Sequence, residues 1–381
     1  MQPVSVMFFL PVLGGGGAEM NAVRLAPGLV ADAVQLTFAV ARGPGSYAEH
    51  LPAGVEEVVL PTGSSTSSTM RMLRAVRPLA RLIDERKPDC LCPVMVTPSL
   101  VAQAALRLAR HRPAVVLSIQ NMLELPAGTG WHPRAAIENF LARRTFAHVD
   151  GVIALSHGVG RHLEQYIPRL VGKVEVIYNV GVPHVSQVTS PEPEGVPPKK
   201  HAIRYLACGR LAAQKGYPYL LEAFAQVERH VDAELHVLGE GPQRAELEAL
   251  AARLRIAERV TFLGFRKNPF LHMQAADVFV LSSLWEGFAN VIVEAMSMGT
   301  AVIAADCPYG PNEIITDGRN GLLVPPANAA RLGEAMISLA QDATLRRAIA
   351  EAGQRRSVDF SARTIASQYA AAFRRLAARA A

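Results

Sequence analysis

The stretch "VFVLSSLWEGFANVIVEAMSMGTAVIAA" (278–305) contains two apolar runs separated by a turn and an amphipathic segment. "VFVLSS" is typical of a buried parallel strand, and "LWEGFA" predicts a turn. "NVIVEAMSMG" predicts a helix that begins near Asn290, a favoured N-cap residue, and ends at Gly299. "TAVIAA" then predicts the next strand. The stretch therefore predicts one strand–helix–strand unit of a parallel sheet.

The same alternation of short apolar run, turn and helical segment recurs along the chain. The runs include "VSVMFFL" (4–10), "VQLTFAVA" (34–41), "AVVLSIQ" (114–120), "GVIALS" (151–156), "IRYLACG" (203–209), "ELHVLG" (234–239), "RVTFLG" (259–264), "VFVLSS" (278–283) and "TAVIAA" (300–305). Near-continuous Val, Ile and Leu runs that alternate with helices indicate parallel strands covered on both faces. We therefore predict an α/β protein with doubly wound sheets.

The pattern occurs on both sides of "SQVTSPEPEGVPPKKH" (186–201), which is rich in Pro and charge and has no apolar period. We predict an N-terminal Rossmann-like domain over 1–185, a linker over 186–201 and a C-terminal Rossmann-like domain over 202–360. The stretch 361–381 predicts a helix that could pack on either domain, including back on the N-terminal one. Doubly wound halves bind ligands at the carboxyl ends of their strands, so we expect the site in a cleft between them.

Composition excludes several classes of protein. A chain of 381 residues, half of them hydrophobic, suits two globular domains, and no apolar run is long enough to predict a transmembrane helix. The N-terminus lacks a basic residue before its apolar run, which favours a buried strand over a signal peptide. The four cysteines fit neither a disulfide framework nor a zinc site, so we expect a cytoplasmic protein.

Positive charge is concentrated in one region. The formal net charge is +6, and residues 71–144 carry twelve Lys and Arg against five Asp and Glu. Such a surplus suits an anionic partner, namely nucleic acid, a phosphate-bearing substrate or a membrane surface. Nucleic acid is disfavoured because no recognition motif accompanies the charge.

Arg71, Arg74, Arg77 and Arg81 are spaced three and four apart, which places them on one helical face, and Pro78 should kink or interrupt that helix. An ordinary solvated basic face is one interpretation. The other is a peripheral position on the inner face of the membrane, or a binding surface for an anionic lipid diphosphate acceptor.

Two glutamates, Glu286 and Glu294, lie within the quoted stretch. A plain interpretation is that Glu294 caps its helix and Glu286 is solvated. The alternative begins with the amides of 287–291, which lie at a helix N-terminus and can bind an anion. Carboxylates are good acceptors for sugar hydroxyls, because charged hydrogen bonds are short and strong. Together these groups indicate a site for a nucleotide sugar.

The segment "SSLWEGFANVIVEAMSMGTAVIAADCPYGPNEIITDGRNGLLVPP" (282–326) closely resembles the signature of the retaining enzymes of glycosyltransferase family 4, which have the GT-B fold. Further matches follow the family's order along the chain. These are "GGAE" (16–19), "GRLAAQKG" (209–216), "LGEGP" (238–242) and "VTFLGFRKNPF" (260–270). The resemblance covers the C-terminal half in detail and the N-terminal half loosely.

The resemblance implies roles for individual residues. Glu294 would bind the ribose of the donor, Glu286 the transferred sugar, and Arg210 and Lys215 the diphosphate as it leaves. Phe265 would lie in the turn that binds the base. Catalytic roles fall on Arg210, Lys215 and Glu286. The implied nucleotide-sugar-binding set is Gly16, Gly17, Gly209, Arg210, Lys215, Phe265, Arg266, Glu286, Gly287, Phe288, Ala289, Asn290, Val291 and Glu294.

No Asp-x-Asp pair occurs in the sequence, so we expect no metal-bridged diphosphate and no cofactor, with a nucleoside diphosphate sugar as co-substrate. Two cations that face a developing phosphate charge would replace the metal. The resemblance implies that the anomeric configuration of the donor sugar is retained. The leaving phosphate oxygen would take the acceptor's proton on the same face of the sugar.

We expect a UDP-sugar as donor and a lipid-linked or polysaccharide-precursor acceptor. A soluble acceptor such as a sugar phosphate is the main alternative. A UDP-sugar 2-epimerase or a non-catalytic sugar-nucleotide-binding subunit would share the fold. The presence of both glutamates together with Arg210 and Lys215 disfavours them.

The glycine-rich stretch "LGGGGAEM" (13–20) fails as a dinucleotide fingerprint, because Glu19 or Met20 occupies the final glycine position. It matches the family's N-terminal glycine loop, in which Gly16 and Gly17 would approach donor phosphate or acceptor. A simple tight turn is the alternative.

The chain departs from the family pattern in the N-terminal half. Gln120 stands where many relatives carry a His, and Met20 stands where many carry a basic residue. Gln120 or Asn121 could still bind a sugar hydroxyl. His132 and His157 are predicted in loops that face the expected cleft, although a loop histidine is usually incidental.

Overall fold

The computed structural model describes residues 3–14, 16–63, 67–119, 133–182, 195–266 and 268–380. The chain folds into two compact units. Unit 1 comprises residues 1–180 together with 362–381, and unit 2 comprises 181–361. Of the predicted linker, residues 186–194 lie outside the described residues, and 195–201 form no helix or strand.

Unit 1 is a seven-stranded parallel sheet in the order β3-β2-β1-β4-β5-β6-β7. Its strands are β1 (Val4–Leu10), β2 (Val34–Val40), β3 (Glu56–Val59), β4 (Cys90–Pro93), β5 (Ala114–Ile119), β6 (Gly151–Ala154) and β7 (Val174–Val176). Its helices are α1 (Gly17–Ala31), α2 (Ser68–Arg74), α3 (Val76–Arg86), α4 (Val96–Leu106), α5 (Pro133–Thr145) and α6 (His157–Tyr166). The strand order reverses beside β1, as in other doubly wound sheets.

Unit 2 is a six-stranded parallel sheet in the order β10-β9-β8-β11-β12-β13. Its strands are β8 (Ile203–Cys208), β9 (Ala233–Leu238), β10 (Val260–Gly264), β11 (Val278–Leu281), β12 (Ala301–Ala305) and β13 (Leu322–Val324). Its helices are α7 (Tyr217–Val227), α8 (Arg244–Arg253), α9 (Phe270–Gln274), α10 (Asn290–Ser297), α11 (Pro311–Ile314), α12 (Ala329–Gln341) and α13 (Ala343–Ser357).

The last helix, α14 (Ala362–Ala380), belongs to unit 1, where it packs against α1. The two meet closely, since a Cβ atom on Gly28 of α1 would lie 2.5 Å from the Cβ atom of Ala366. Side chains of α14, among them Tyr369 and Phe373, are fully buried in the core between α1 and the sheet. A second core lies on the other face of the sheet, beneath α2, α3 and α4.

The arginine-rich segment differs in detail from its prediction. Helix α2 ends at Arg74 and α3 begins at Val76, so the break lies at Ala75 rather than at Pro78. Pro78 lies in the first turn of α3, where its missing N–H and its ring are tolerated. Ala75 keeps right-handed helical dihedrals, so the path is nearly continuous. None of the described helices is long and apolar enough to cross a bilayer.

Candidate functional site

The two central strands of unit 2, β8 and β11, are neighbours in the sheet, although β9 and β10 intervene in sequence. The chain leaves β8 at Gly209 and leaves β11 at Ser282. The carboxyl ends of strands at such a reversal are the usual ligand site of a doubly wound sheet. The two loops that carry most of the predicted residues therefore begin side by side.

The two loops are bonded to each other. The Leu284 amide donates to the Gln214 carbonyl at 2.7 Å, and the Ser282 hydroxyl donates to the Lys215 carbonyl at 2.8 Å. Gly216 has φ +60°, and a Cβ atom there would lie 2.1 Å from the Ser282 carbonyl oxygen. Only glycine suits both the left-handed backbone and this close approach. The glycine that ends "GRLAAQKG" thus holds the two loops together.

Lys215 and Glu286 form an ion pair at the centre of this arrangement. The Lys215 Nζ atom lies 2.6 Å from Glu286 Oε1, and the Ser283 hydroxyl donates to the same oxygen at 2.6 Å. The exposed fractions of the two charged side chains are only 17% and 8%. A buried carboxylate requires such partners, because leaving it unpaired costs several kcal/mol.

The backbone of Glu286 is also fixed. Its amide donates to the Pro308 carbonyl at 2.7 Å, and its carbonyl accepts from the Tyr309 amide at 3.0 Å. The loop that follows β12 therefore supports the loop that follows β11. The predicted solvated state of Glu286, which was the plain interpretation, does not describe this residue.

The sequence predicts that Arg210 and Lys215 together bind the diphosphate. In the structure the two side chains have different environments. The Arg210 side chain is exposed, and its guanidinium has no hydrogen bond or ion pair with another described residue. Gly209 precedes it, and the Gly209 carbonyl accepts a hydrogen bond from the Tyr217 hydroxyl at 3.0 Å. The Arg210 guanidinium can therefore bind a ligand without breaking a contact within the protein, whereas Lys215 already contacts Glu286.

Glu294 is buried in the second turn of α10. Burial, followed by the nearby charge of Glu294, raises the pKa of the Cys208 thiol at the end of β8 to about 12. Burial, followed by the charge of Glu286, likewise raises the pKa of Cys307 to about 12. Both thiols are protonated at neutral pH, and Lys215 opposes the shift at each. Two carboxylates and one ammonium therefore lie around the same strand ends.

The N-terminus of α10 differs from its prediction by one residue. Asn290 is the first helical residue, and Ala289 is the N-cap, with a left-handed backbone at φ +70°. No side chain in the described part of the chain caps this end. Among the described residues, the amides of Gly287, Ala289 and Val291 have no backbone hydrogen-bond acceptor. The turn thus presents backbone donors to an anion, as the helix dipole favours.

Phe288 contributes its backbone to this turn, while its side chain points into the protein. Its ring lies 5.5 Å from that of Phe360, and Gly310 (φ +100°) packs on its carbonyl oxygen. Gly181 lies equally close to α10, because a Cβ atom there would be 2.4 Å from the Cβ atom of Val293. The Gly181 amide donates to the Phe360 carbonyl at 3.1 Å.

The predicted base-binding residues lie in the turn after β10. Phe265 is 71% exposed and Arg266 is half-buried. Gly264 before them has φ +73°, and its carbonyl accepts from the Gly239 amide at 2.8 Å. An exposed aromatic ring on a fixed turn is available for stacking on a planar base.

The predicted residues of the glycine loop lie in unit 1. Gly16 is the N-cap of α1 and Gly17 its first residue. The Glu19 carboxylate folds back over this end, since a Cβ atom on Gly16 would lie 2.4 Å from Glu19 Oε2. Burial raises the pKa of Glu19, and a hydrogen bond from its own amide opposes that shift.

Of the other candidates in the N-terminal half, Gln120, Asn121 and His132 lie outside the described residues. His157 is exposed at the start of α6, and its ring lies 6.2 Å from that of Tyr178.

Three residues of the site escaped the sequence prediction. Ser283 bonds the Glu286 carboxylate, Tyr217 bonds the Gly209 carbonyl, and Phe360 supports Phe288. Ser283 lies inside the quoted signature, three residues before Glu286, so the sequence could have indicated its hydroxyl as a partner of that carboxylate. Phe360 lies 72 positions beyond Phe288 in the sequence, and no local pattern connects the two.

Comparison with known families covers most of the chain. The family described as Glycosyltransferase Family 4 matches residues 15–180, and the family described as Glycosyl transferases group 1 matches residues 202–342. The chain belongs to these glycosyltransferases. The family resemblance that the sequence predicted is confirmed.

Two curated relatives are similar to this chain over part of their length. An uncharacterized glycosyltransferase of Methanocaldococcus jannaschii is 28% identical over 64% of this chain and 62% of its own. The N-acetylgalactosamine-N,N'-diacetylbacillosaminyl-diphospho-undecaprenol 4-alpha-N-acetylgalactosaminyltransferase of Campylobacter jejuni is 30% identical over 59% of this chain and 60% of its own. The matched region thus spans about three-fifths of each relative.

A solved structure extends the similarity to the fold. Anabaena HepE, determined in complex with UDP-glucose, superimposes with a TM-score of 0.78 at 23% identity, over 98% of this chain and all of that one. The predicted GT-B fold, with two parallel Rossmann-like sheets, is confirmed by this likeness and by the two strand orders.

Proposed function

We propose that the chain is a retaining glycosyltransferase that moves a sugar from a UDP-sugar to a lipid-linked or polysaccharide-precursor acceptor. The observation that carries the proposal is the Lys215–Glu286–Ser283 cluster beside the uncapped N-terminus of α10. This arrangement joins a cation and amide donors, which suit a diphosphate, to a carboxylate, which suits sugar hydroxyls.

Each group has a part in donor binding. Glu294 accepts hydrogen bonds from the ribose hydroxyls, and the amides of Gly287, Ala289 and Val291 face the phosphates. Lys215 has three donors, of which Glu286 engages one. The remaining donors and the Arg210 guanidinium hold the diphosphate.

The reaction needs no covalent enzyme intermediate. The acceptor hydroxyl oxygen bonds to the anomeric carbon on the face from which UDP departs. The bond from that carbon to the phosphate oxygen breaks, its electron pair stays with UDP, and the acceptor proton passes to the leaving phosphate oxygen. Arg210 and Lys215 stabilise the negative charge as it grows, which is the electrostatic contribution that a metal would otherwise make.

The donor and acceptor assignments have separate support. A UDP-sugar is favoured because the similar HepE structure contains UDP-glucose. A lipid-linked acceptor is favoured because the Campylobacter relative is named for a diphospho-undecaprenol substrate. The surplus of basic residues in 71–144 suits a substrate that carries a diphosphate.

The donor is tested by calorimetry with UDP-, GDP- and ADP-sugars. A ligand at 100 times its Kd stabilises the folded state by about 2.7 kcal/mol, so the correct donor should also raise Tm. We expect UDP and UDP-sugars to bind in EDTA. Binding of GDP- or ADP-sugars alone would contradict the base assignment, and turnover that stops in EDTA and returns with Mg²⁺ or Mn²⁺ would contradict the metal-free mechanism.

The stereochemistry is tested on the product. With an α-linked UDP-sugar, the anomeric proton coupling constant should show an α-linkage in the product. A β-linkage would exclude the retaining mechanism while leaving the donor assignment intact.

A further inference from the structure

Helix α5 carries apolar side chains on its solvent side. Ile137, Phe140 and Leu141 are spaced three and four apart, so they share one helical face, and their exposed fractions run from 41% at Leu141 to 61% at Ile137. Ala142 of the same helix is fully buried, so its side of the helix faces the protein interior. An apolar helical face ordinarily packs against the core, whereas this one is about half exposed.

A second stripe of the same kind lies on α2. Met70 and Leu73 are 46% and 58% exposed, whereas Met72 between them is buried in the core. Arg74 and Arg77 continue the exposed face at helical spacing, because Ala75 keeps the path from α2 to α3 nearly continuous.

The two stripes belong to one layer of unit 1. Both α2 and α5 pack against α4, and α3 packs beside them. Arginines accompany the apolar side chains in each stripe, and on α5 the Arg144 guanidinium lies 4.8 Å above the Phe140 ring. An arginine over an aromatic ring keeps its charge while it covers apolar surface.

We propose that this face binds an anionic lipid bilayer, with Met70, Leu73, Phe140 and Leu141 entering the headgroup region and Arg74 and Arg144 contacting lipid phosphates. Charge complementarity selects the occupant, because residues 71–144 carry a surplus of positive charge. Apolar residues flanked by arginine are the composition of surfaces that lie in a membrane interface. The inference deepens the proposed function, on which it rests, by locating where the chain would meet a lipid-linked acceptor.

Vesicle co-sedimentation of the full chain tests the apolar component. Wild type should bind vesicles rich in phosphatidylglycerol at low salt and should not bind phosphatidylcholine vesicles. The double variant Leu73→Ser with Phe140→Ser should weaken binding about tenfold or more, because two apolar contacts are lost. Val171→Ser is the matched control, since Val171 is 67% exposed in the loop between α6 and β7. Its binding should equal that of wild type.

Charge reversal tests the electrostatic component. Arg74→Glu with Arg144→Glu should abolish binding at low salt, whereas Arg253→Glu, on exposed surface of unit 2, should not change it. Wild type should be released near about 0.5 M NaCl, where the Debye length is roughly 4 Å.

Insertion is tested with Phe140→Trp and vesicles whose acyl chains carry bromine. The fluorescence of this variant should be quenched beyond the wild-type background, and that of Val171→Trp should not. Equal quenching of both variants would overturn insertion at this face.

Two further results would overturn the inference. One is a wild type that ignores anionic vesicles at low salt. The other is self-association without vesicles that the Leu73 and Phe140 substitutions abolish, which would assign the face to a second copy of the chain. UDP affinity measured for every variant separates the two proposals. Vesicle binding without donor binding contradicts the proposed function alone, and donor binding without vesicle binding contradicts this surface alone.

Discussion

At the scale of single residues, the two cations of "GRLAAQKG" have different environments. Lys215 neutralises the buried Glu286 carboxylate, whereas the Arg210 guanidinium is exposed and has no hydrogen bond or ion pair with the described residues. Their substitutions should therefore affect stability differently, even though both should lower kcat more than they raise the donor KM.

Lys215→Ala should lower the free energy of unfolding of unit 2 by about 1–3 kcal/mol, because Glu286 would keep only the Ser283 hydroxyl as partner. Arg210→Ala should change it by less than about 0.5 kcal/mol. Urea unfolding followed by circular dichroism measures both. Adding Glu286→Gln to Lys215→Ala should restore stability without activity, and equal destabilisation by the two single variants would contradict this account.

Glu294→Ala should weaken UDP binding by about 1.5–3 kcal/mol, the usual cost of losing a charged hydrogen-bond partner. Glu246, exposed on α8, provides the control, and Glu246→Ala should bind UDP as wild type does. Calorimetry measures both affinities. The ribose assignment is wrong if Glu294→Ala stays within twofold of wild type.

His236 makes the stability of unit 2 depend on pH. Burial, followed by the charge of Arg204, lowers its pKa to about 4, while Glu234 opposes the shift and His272 adds to it. The folded protein keeps this imidazole neutral, but the unfolded chain protonates it near its ordinary pKa of about 6.5. Stability should therefore fall as the pH drops from 6.5 towards 4, by about 2 kcal/mol at pH 5.

The measurement is urea unfolding at pH 7 and pH 5 for wild type and His236→Gln. The variant should be less stable at pH 7 but should lose less stability on acidification. An identical loss in both proteins would show that other groups carry the pH dependence.

At the scale of elements, the contact between the loops after β8 and β11 depends on one glycine. Gly216→Ala would force a Cβ atom against the Ser282 carbonyl in addition to straining a left-handed backbone. We expect UDP affinity to fall at least about tenfold, because Lys215 would be displaced from Glu286.

Gly318→Ala is the matched control for this substitution. Gly318 has a similar φ of +71°, but no atom of the described residues lies within 4 Å of the added Cβ position. It therefore reports backbone strain alone, which is about 1–2 kcal/mol. If calorimetry shows the same UDP affinity for both variants, the contact with Ser282 does not position the site.

At the scale of the whole molecule, unit 1 is completed by the end of the chain. Tyr369 and Phe373 of α14 are fully buried in its core, and the Cys90 thiol on β4 contacts the Phe373 carbonyl at 3.4 Å. Phe373→Ala should destabilise unit 1 by about 3–5 kcal/mol through the cavity that it leaves.

Differential scanning calorimetry with and without UDP separates the two units. The transition that UDP does not shift should move down in Phe373→Ala, while UDP affinity stays unchanged. Arg379→Ala, exposed on the same helix, should leave both transitions in place. A loss of UDP binding in Phe373→Ala would contradict the assignment of α14 to unit 1 alone.

Local sequence pattern was sufficient for most strands and for the centre of the site. The runs at 4–10 and 278–283 became β1 and β11, because continuous Val, Ile, Leu and Phe side chains bury themselves on both faces of a parallel sheet. The Glu286 loop and α10 follow for the same reason, since a buried strand, a glycine turn and an apolar helix are all local signals. Short strands such as Glu56–Val59 and Leu322–Val324 carry too few residues to show a period.

By itself, the sequence determined that two doubly wound sheets form and that Glu286 and Glu294 flank a turn at the end of a strand. Only the tertiary structure decided that Lys215 pairs with Glu286 while Arg210 stays exposed, that Ala289 rather than Asn290 occupies the N-cap position of α10, and that the last helix completes unit 1. The physical reason is the range of the interactions. Periodicity and turn chemistry act over a few residues, whereas an ion pair across 71 positions or a helix packed on α1 depends on which surfaces the sheet brings together.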